Sequence, residues 1–348
     1  MVLVLGGLVG GLVIAEGVAR TLWVDPVSVE KSPCPPPSDA SLPMISGEGL
    51  TTPNQRGIYR RCFYRTNDQG VRGPNYAATG DPDEFRIVVA GDSVTMGAGV
   101  SEEAAYPAQL ELLLNAGGGP WRYQVINLGI SGLNVHKIMN RLAEIGLGYH
   151  PNLIVYGFTL NDIEGPAYQS VPRQMVLHGQ QARYDRLHGS PSYLVRVMGP
   201  RILAVRDMIR PPEGSYLQEL FVNYFDNQAA WADFRGNLSR FGTIARENDL
   251  CGLVFLHKQI ARVGAMHPFE PIYEKVSAAA VADGLSVSSS HTYFGGYDEE
   301  SLRISFWNHH PSPLGHRLMA RALFDALVAL PERCWQVGPG RSARPGGA

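Results

Sequence analysis

The 348-residue sequence has no excess of charge of either sign: 30 lysines and arginines stand against 32 aspartates and glutamates, a formal net charge of −2. Without an overall basic field, the chain lacks the electrostatic attraction that nucleic-acid binding requires, which argues against nucleic acid as a partner. Glycine and proline are plentiful but follow no fixed period, so repeat architectures are not indicated. A hydrophobic content of 45% is ordinary for a folded globular chain.

Cysteine is also scarce. The sequence has four cysteines, and no two of them have the CxxC spacing of a zinc knuckle or a thioredoxin-type site. Cys251 lies in the apolar run 250–256 and is interpreted as a small core residue. Cys34 and Cys62 lie in predicted N-terminal loops and could pair if the chain is exported, which the sequence alone leaves open.

No lysine or arginine precedes the apolar run of residues 2–15, and Glu16 and Arg20 follow it. The run is short for a membrane span, which needs roughly 20 residues, but it reaches that length when counted to Trp23. A cleaved signal peptide would normally begin with a charged region. We therefore predict that residues 1–23 form an uncleaved membrane anchor and that the rest of the chain is extracytoplasmic. A cleaved export signal and a buried core helix are the alternatives.

Residues 24–55 are rich in proline and serine and are predicted to be a linker. Beyond them, short β-branched strands alternate with helical patterns, which is typical of βαβ units. For residues 56–332 we predict a flavodoxin-like three-layer α/β/α sandwich with a parallel five-stranded sheet. The predicted strands are 86–90, 123–127, 153–156, 253–256 and 285–287, and the predicted helices are 106–114, 135–145, 231–248, 272–282 and 313–330.

A stretch at about residues 164–225 breaks this alternation and is predicted to be an insertion. Within it, Tyr193 to Ile209 is amphipathic, with arginines set against aliphatic residues. This pattern indicates a covering helix with a solvated basic face, and a lid or membrane-facing flap is the alternative. Residues 333–348 are predicted to be a disordered tail.

Polar residues concentrate where the predicted strands end, and ligands of such sheets bind beyond the carboxyl ends of the strands. Ser93 follows the first strand, so its hydroxyl can be exposed at the crevice. The second strand leads into a glycine-containing loop with Gly132, and the third leads into the pair Asn161-Asp162. The segment Asn308-His309-His310-Pro311 precedes the last helix and supplies an imidazole.

These four segments, in this order, resemble the Ser, Gly, Asn and His blocks of the SGNH/GDSL hydrolase superfamily. Residues 67–74 and the hydrophobic N-terminus further resemble its membrane-anchored bacterial members, and the resemblance runs from about Tyr64 to Leu330. It implies a serine esterase or acyl hydrolase that works through an acyl-enzyme, without a cofactor, on an acylated glycan, a lipid or a small ester. An acyltransferase using the same site, or a membrane-tethered module that only binds its ligand, is the alternative.

The resemblance implies a role for each motif residue. Ser93 is expected to be the nucleophile and His310 its general base, because a serine hydroxyl barely attacks a carbonyl without an adjacent base. The backbone N–H groups of Ser93 and Gly132 and the side chain of Asn161 would form the oxyanion hole. Two acidic residues are expected to brace the turns that carry these groups, Asp92 and Asp162.

One position departs from the family pattern. Members usually carry an aspartate two or three residues before the catalytic histidine, where this chain has Asn308 and Trp307. Asn308 can accept a hydrogen bond from the imidazole, but it has no charge to stabilise an imidazolium. In a serine protease the corresponding change from Asp to Asn lowered turnover by roughly 10⁴. The site then works as a Ser–His dyad, recruits another acid, or is catalytically weak; the candidate acids are Asp298, Glu299 and Glu300.

Other histidines have simpler interpretations. His257, after the fourth strand, is interpreted as a hydrogen-bonded loop or core histidine. His309, His310 and His316 have no carboxylate or cysteine partner at ligand spacing, so no metal site is predicted. The acyl group, the alcohol and the oligomeric state are left open by the sequence.

Overall fold

The computed structural model describes residues 2–22, 34, 41–77, 80–118, 121–165, 186–187, 190–209, 216–260, 267–305, 308–337 and 342–345. The chain divides into two compact units, residues 1–31 with 165–228 and residues 32–164 with 229–348. Parts of the predicted linker, insertion and tail, together with Trp307, lie outside the described residues.

The larger unit contains a hairpin and a parallel sheet. The hairpin pairs β1 (Arg56–Tyr59) with β2 (Cys62–Arg65), and the sheet contains β3 (Glu84–Gly91), β4 (Arg122–Asn127), β5 (Leu153–Phe158), β6 (Cys251–Leu256) and β7 (Ser286–Ser289). The five parallel strands lie in the order β4-β3-β5-β6-β7. This is the strand order of flavodoxin-like folds. β3 and β5 are buried along their whole length, as expected for parallel strands covered on both faces.

Helices cover both faces of this sheet. The described helices of the chain are α1 (Val2–Leu22), α2 (Ser93–Met96), α3 (Tyr106–Ala116), α4 (Val135–Glu144), α5 (Tyr193–Ile209), α6 (Tyr216–Phe221), α7 (Gln228–Glu247), α8 (Glu270–Ala282), α9 (Glu299–Leu302) and α10 (Pro313–Val328), of which α1, α5 and α6 belong to the smaller unit and not to this sheet. On one face, Leu110 of α3 and Leu323 of α10 share a buried cluster with Ile87 of β3. On the other, the ring of Phe241 in α7 lies 5.9 Å from that of Tyr156 in β5. The predicted three-layer α/β/α sandwich is therefore confirmed.

The smaller unit contains α1, α5 and α6. Glu16 of α1 caps the start of α5, because its carboxylate accepts the hydroxyl of Ser192 at 2.8 Å and the backbone N–H groups of Tyr193 and Leu194 at 2.6 and 2.9 Å. Such acceptors satisfy N–H groups that have no partner inside the helix. The bounds of α5 are those of the predicted amphipathic segment. Across the described residues, no helix has the length and hydropathy of a membrane span, and the anchor stays a prediction.

The hairpin was not predicted from the sequence. Its two-residue turn consists of Arg60 and Arg61, which have positive φ values of 47° and 69°. Turns of this kind favour Asn-Gly, so two arginines give no hairpin signal. The hairpin packs through Tyr64 into a buried cluster that also contains Ile45 and Leu50. The folded domain therefore begins earlier than predicted, within the segment 24–55 that was interpreted as a linker.

Two disulfide bonds cross the larger unit. Cys34 bonds to Cys62, the pairing that the sequence left open, and Cys251 bonds to Cys334. The second bond corrects the interpretation of Cys251 as a simple core residue. Local apolar character could not reveal this bond, because its partner is 83 residues away in the chain.

The tail is packed where the structure describes it. After a 3₁₀ turn at Glu332–Trp335, the fully buried ring of Trp335 stacks on Phe85 at 5.0 Å. The buried Ala343 accepts the hydroxyl of Tyr123 at 2.6 Å. The described part of residues 333–348 therefore differs from the predicted disorder, because an aromatic contact and a disulfide hold it against the sheet.

We expect the variant Cys251→Ala/Cys334→Ala to lose about 2–4 kcal/mol of unfolding free energy while its turnover stays close to that of the parent chain. The bond closes a long loop of the unfolded chain. It joins the amino end of β6 to the C-terminal tail, at the edge of the sheet opposite Ser93, so its removal should not disturb the site. Urea unfolding and ester hydrolysis at room temperature measure the two effects. An unchanged urea midpoint would mean that Trp335 alone docks the tail.

Candidate active site

Ser93 is the first residue of α2, which follows β3 through a tight turn at Asp92. At Gly91, which ends β3, an added Cβ would lie 2.1 Å from Thr95 Oγ1, so only glycine fits there. Asp92 caps α2, because its Oδ1 accepts the N–H of Val94 at 2.9 Å. The turn therefore fixes the serine just beyond the carboxyl end of a central strand.

The imidazole of His310 joins Ser93 to Asn308. Its Nε2 lies 2.9 Å from Ser93 Oγ, and its Nδ1 lies 2.7 Å from Asn308 Oδ1. The same Asn308 oxygen also faces the backbone N–H of His310 at 3.3 Å, which identifies it as an acceptor and assigns the ring proton to Nδ1. Nε2 is then free of a proton and accepts the serine hydroxyl. This is the geometry of a nucleophile and its base.

The backbone around His310 is held from both sides. The carbonyl oxygen of His310 accepts the N–H of Ile304 at 3.0 Å. Two residues further on, Ser312 donates its N–H to the carbonyl oxygen of Leu302 at 2.7 Å. Ser312 also caps α10, since its hydroxyl accepts the N–H of Gly315 at 3.2 Å. The imidazole is therefore positioned by ordered backbone and not by its side-chain partners alone.

Within the described ranges, no carboxylate contacts the His310 ring. The structure does not bring the three candidate acids to it: Asp298 caps α9 by accepting the N–H of Glu300 at 3.1 Å, and Glu299 pairs with an arginine four residues further on at 3.9 Å. The partner of the imidazole Nδ1 is therefore the neutral side chain of Asn308, where the sequence resemblance leads us to expect an aspartate.

A cation approaches the ring instead. Arg60 Nη1 lies 3.4 Å from His310 Nδ1. Because Nδ1 already holds a proton directed at Asn308, the guanidinium has no acceptor there, and the contact becomes one between like charges when the ring is protonated. Burial, followed by the charges of Arg60 and His309, lowers the pKa of His310 to about 4. The resting ring is therefore neutral at pH 7 and can accept a proton, but its protonated form is poorly stabilised.

Asp92 aligns a second functional group, the amide of Asn161. Asn161 Nδ2 donates to Asp92 Oδ2 at 3.2 Å, and Ser93 Oγ lies 3.1 Å from the same oxygen. A carboxylate only accepts hydrogen bonds, so the nitrogen side of the amide must face the nucleophile turn. An amide nitrogen carries two N–H groups, which leaves a second donor for a substrate oxygen.

Asp162 supports the loop that carries Asn161. Its buried carboxyl accepts the hydroxyl of Tyr156 at 2.7 Å and the backbone N–H and hydroxyl of Thr159 at 3.0 and 2.9 Å. Burial, and after it the nearby charge of Asp92, raises the pKa of Asp162 well above its usual value. The predicted bracing contacts of Asp92 and Asp162 are thus both present.

Gly132 lies in the loop that follows β4. Its φ of +83° requires glycine, and an added Cβ would meet nothing within 4 Å, so the backbone conformation and not the space demands glycine here. The loop is tied to the nucleophile turn, since the N–H of Ile130 donates to Gly91 at 3.3 Å and a Cβ on Gly129 would lie 2.2 Å from the backbone nitrogen of Met96. These contacts hold residues 129–130, which precede Gly132, against the nucleophile turn.

A buried aromatic cluster behind Ser93 was missed from the sequence. Thr95 Oγ1 lies 3.0 Å from the hydroxyl of Tyr106, whose ring is 5.1 Å from His257 and whose backbone N–H donates to His316 at 3.2 Å. His257 is a buried core histidine, but, contrary to the prediction, neither of its ring nitrogens has a hydrogen-bond partner in the described structure. Burial lowers the pKa values of His257 and His316 to about 3, so both rings are neutral.

The side chains of His309 and His316 lie in different surroundings. His309 is exposed, and His316 is fully buried against Tyr106. Over the ranges that the structure describes, no group of three or more His, Cys, Asp or Glu side chains is placed to hold a metal ion.

Comparison with family models and with curated proteins finds no match. Among solved structures, the chain is similar to TesA, with 16% identity, a TM-score of 0.43, and coverage of 70% of this chain and 98% of that one. It is also similar to the lipase/acylhydrolase from Enterococcus faecalis and to the acetylxylan esterase Axe2 from Geobacillus stearothermophilus, each with 17% identity and a TM-score of 0.42. Each match covers 70% of this chain, together with 95% of the lipase/acylhydrolase and 94% of Axe2. At scores this low the likeness carries no argument about activity, which therefore rests on the site itself.

Proposed function

We propose that the chain is a serine ester hydrolase that works through an acyl-enzyme. The observation that carries this proposal is the 2.9 Å contact between Ser93 Oγ and the unprotonated Nε2 of His310, beyond the carboxyl ends of the sheet strands. The amide of Asn161 is oriented toward the same turn by Asp92. A nucleophile, a base and an anion donor together are the requirements of acyl transfer.

The reaction follows from these positions. Ser93 Oγ attacks the ester carbonyl while its proton passes to His310 Nε2, and the carbonyl electron pair moves onto oxygen, where the Asn161 N–H and the loop N–H groups stabilise it. Collapse of this intermediate breaks the bond to the alcohol, whose oxygen takes the proton from Nε2. Water then attacks the acyl-enzyme while Nε2 takes its proton, and the bond to Ser93 breaks as Nε2 passes this proton to Ser93 Oγ, which releases the acid and restores the site.

For the substrate we propose an acylated glycan, a lipid or a small ester at or outside a membrane. The hydrophobic N-terminus supports the membrane part of this proposal, and the two disulfides support an oxidising, extracytoplasmic compartment. A sugar hydroxyl in place of water would make the same acyl-enzyme an acyltransferase. A module that binds its ligand without turnover is favoured by one observation, the uncharged Asn308 and the cation Arg60 at the base.

A fluorophosphonate probe tests the proposal. We expect it to form an adduct on the parent chain and none on Ser93→Ala, because phosphonylation requires an activated serine. The matched control is Ser101→Ala, which removes a serine hydroxyl outside the site and should label fully. Mass spectrometry of the labelled peptide locates the adduct.

The outcomes separate the candidates. An unlabelled parent chain, or labelling that survives Ser93→Ala, would contradict a serine hydrolase and leave the binding module. Labelling combined with acyl transfer to an added sugar in preference to water would identify the transferase.

A further inference from the structure

We propose that the alcohol part of the substrate carries a negative charge, a carboxylate or a phosphate, which binds Arg60 at the tip of the β1–β2 hairpin. This inference rests on the proposed function and narrows its substrate class. The structural basis is a cation, Arg60, that lies 3.4 Å from Nδ1 of the base, while the other partner of this nitrogen is a neutral amide and not a carboxylate.

Arg60 is available for such a contact. Its side chain is exposed, with the guanidinium 5.7 Å from the centre of the Tyr59 ring and 3.4 Å from His310 Nδ1. Of the carboxylates in the described part of the chain, none forms an ion pair with it. An arginine in this position offers several N–H donors in a planar arrangement that matches carboxylate and phosphate oxygens.

The hairpin holds Arg60 there against its conformational preference. Arg60 and Arg61 both have positive φ, which disfavours residues with a side chain. The rest of the hairpin fixes the turn, because Cys62 is bonded to Cys34 and Tyr64 packs with Met96 just after the nucleophile turn. Strain of this kind persists where the surrounding structure imposes it, and it is concentrated at ligand-binding sites.

The position of the histidine decides which part of the substrate carries the charge. His310 Nε2 must return its proton to the leaving oxygen, so the alcohol departs on the His310 side of Ser93. Arg60 contacts this same ring, whereas the carbonyl oxygen is directed toward Asn161. An anion within reach of Arg60 therefore belongs to the alcohol and not to the acyl group.

Such an anion would also help the chemistry. It would neutralise Arg60 and bring a negative charge close to the imidazolium that forms during attack. The substrate would then supply the counter-charge that Asn308 does not. A neutral ester would leave Arg60 uncompensated beside the protonated ring.

A matched pair of acetate esters tests this inference. 4-Acetoxybenzoate and 4-acetoxybenzamide differ in the charge of the alcohol part, and release of the phenol is followed by absorbance. In Arg60→Gln we expect the ratio of kcat/KM for the anionic over the neutral ester to fall about tenfold or more relative to the parent chain. Because the same two esters are compared in the parent chain and in the variant, the difference in their intrinsic reactivity cancels. The neutral ester should react no more slowly, because a cation beside the imidazolium is removed.

Further variants exclude a general structural effect. Arg56→Gln removes an exposed arginine from the other end of the hairpin and should leave the ratio unchanged. Arg60→Asn/Arg61→Gly installs the preferred turn pair, so it should melt at a higher temperature and still lose the preference. The same ratio of kcat/KM is then measured for 4-acetoxyphenyl phosphate over the neutral ester. A larger fall of this ratio in Arg60→Gln than the fall seen with 4-acetoxybenzoate would show that the site prefers phosphate over carboxylate.

An equal ratio in the parent chain and Arg60→Gln, or an equal fall in Arg56→Gln, would overturn the inference while leaving the hydrolase intact. If neither ester is hydrolysed, the hydrolase proposal fails instead. In that case the affinities for 4-hydroxybenzoate and 4-hydroxybenzamide, the alcohol parts of the two esters, are compared by ligand-observed NMR to test whether Arg60 binds the anion. Preferential binding that is lost in Arg60→Gln supports the anion site, and equal binding refutes it.

Discussion

Replacing Asn308 by aspartate should raise kcat/KM for a neutral ester at pH 7 by about 10²-fold or more. The reverse change in a serine protease costs roughly 10⁴, and here the oxygen that would carry the charge already lies 2.7 Å from His310 Nδ1. The parent site can accept a proton but cannot stabilise it, because Asn308 is neutral and Arg60 is positive. A carboxylate at position 308 would stabilise the imidazolium that forms as Ser93 attacks.

The pH profile gives a second readout of the same variant. His310 must be neutral to act as a base, and its pKa is lowered from 6.5 to about 4, so the parent chain should lose activity only as the pH falls toward 4. In Asn308→Asp the carboxylate favours the protonated ring, so the acid limb should move to higher pH. The variant should therefore gain activity near neutrality and lose part of that gain in acid.

Unfolding in acid has to be separated from this titration. The pKa values of His257 and His316 are about 3 in the folded chain and near 6.5 when unfolded, so the unfolded chain binds more protons between those values. Stability should consequently fall as the pH drops below about 6.5. Activity that recovers fully at pH 7 after incubation in acid identifies titration rather than loss of fold.

A matched charge control is available for this experiment. Asn140→Asp adds the same negative charge at a half-buried position of α4, where Asn140 already accepts an arginine N–H, and it should not change the rate. If Asn308→Asp is no faster than the parent chain, the new carboxylate has paired with Arg60, and Asn308→Asp/Arg60→Gln should then restore the gain. No gain in either form would exclude proton stabilisation at His310 as the limiting factor.

The fold and the convergence of the site could be predicted because both follow from local patterns. Alternation of β-branched strands and helices predicted the five strands of a parallel, flavodoxin-like sheet, and the carboxyl ends of parallel strands meet at one edge of a sheet. Ser93 and Asn161 therefore had to lie near each other once their strands were assigned. The place of His310 required the family resemblance as well, since it follows an irregular segment and not a strand of the sheet.

The features that the sequence missed depend on contacts between distant residues. The turn at Arg60-Arg61 has no favoured turn residue, so its conformation is imposed by the disulfide and packing of the hairpin. The bond between Cys251 and Cys334 links a strand to a tail that lacked any periodicity. The approach of Arg60 to His310, which sets the electrostatics of the base, spans 250 positions and leaves no trace in either segment.

Removing the side-chain donor of the oxyanion site should give the second large effect. We expect Asn161→Ala to lower kcat by about 10²–10³-fold with little change in KM, because the donor acts on charge that develops only in the transition state. The resting structure shows how this donor is oriented: Asp92 accepts one of the two N–H groups of Asn161 and so turns the amide nitrogen toward Ser93.

The loss of the Asp92 contact is the structural alternative that this experiment must exclude. Asn115→Ala is the matched control, because it removes an asparagine side chain that is hydrogen-bonded to the backbone of Tyr123 and Glu111 and lies outside the site. It should lower the unfolding midpoint but leave kcat unchanged. If Asn161→Ala likewise changed only the midpoint, the amide would serve to hold Asp92, and the oxyanion would depend on backbone N–H groups alone. A fall in kcat with an unchanged midpoint would instead assign the second N–H of Asn161 to the substrate oxygen.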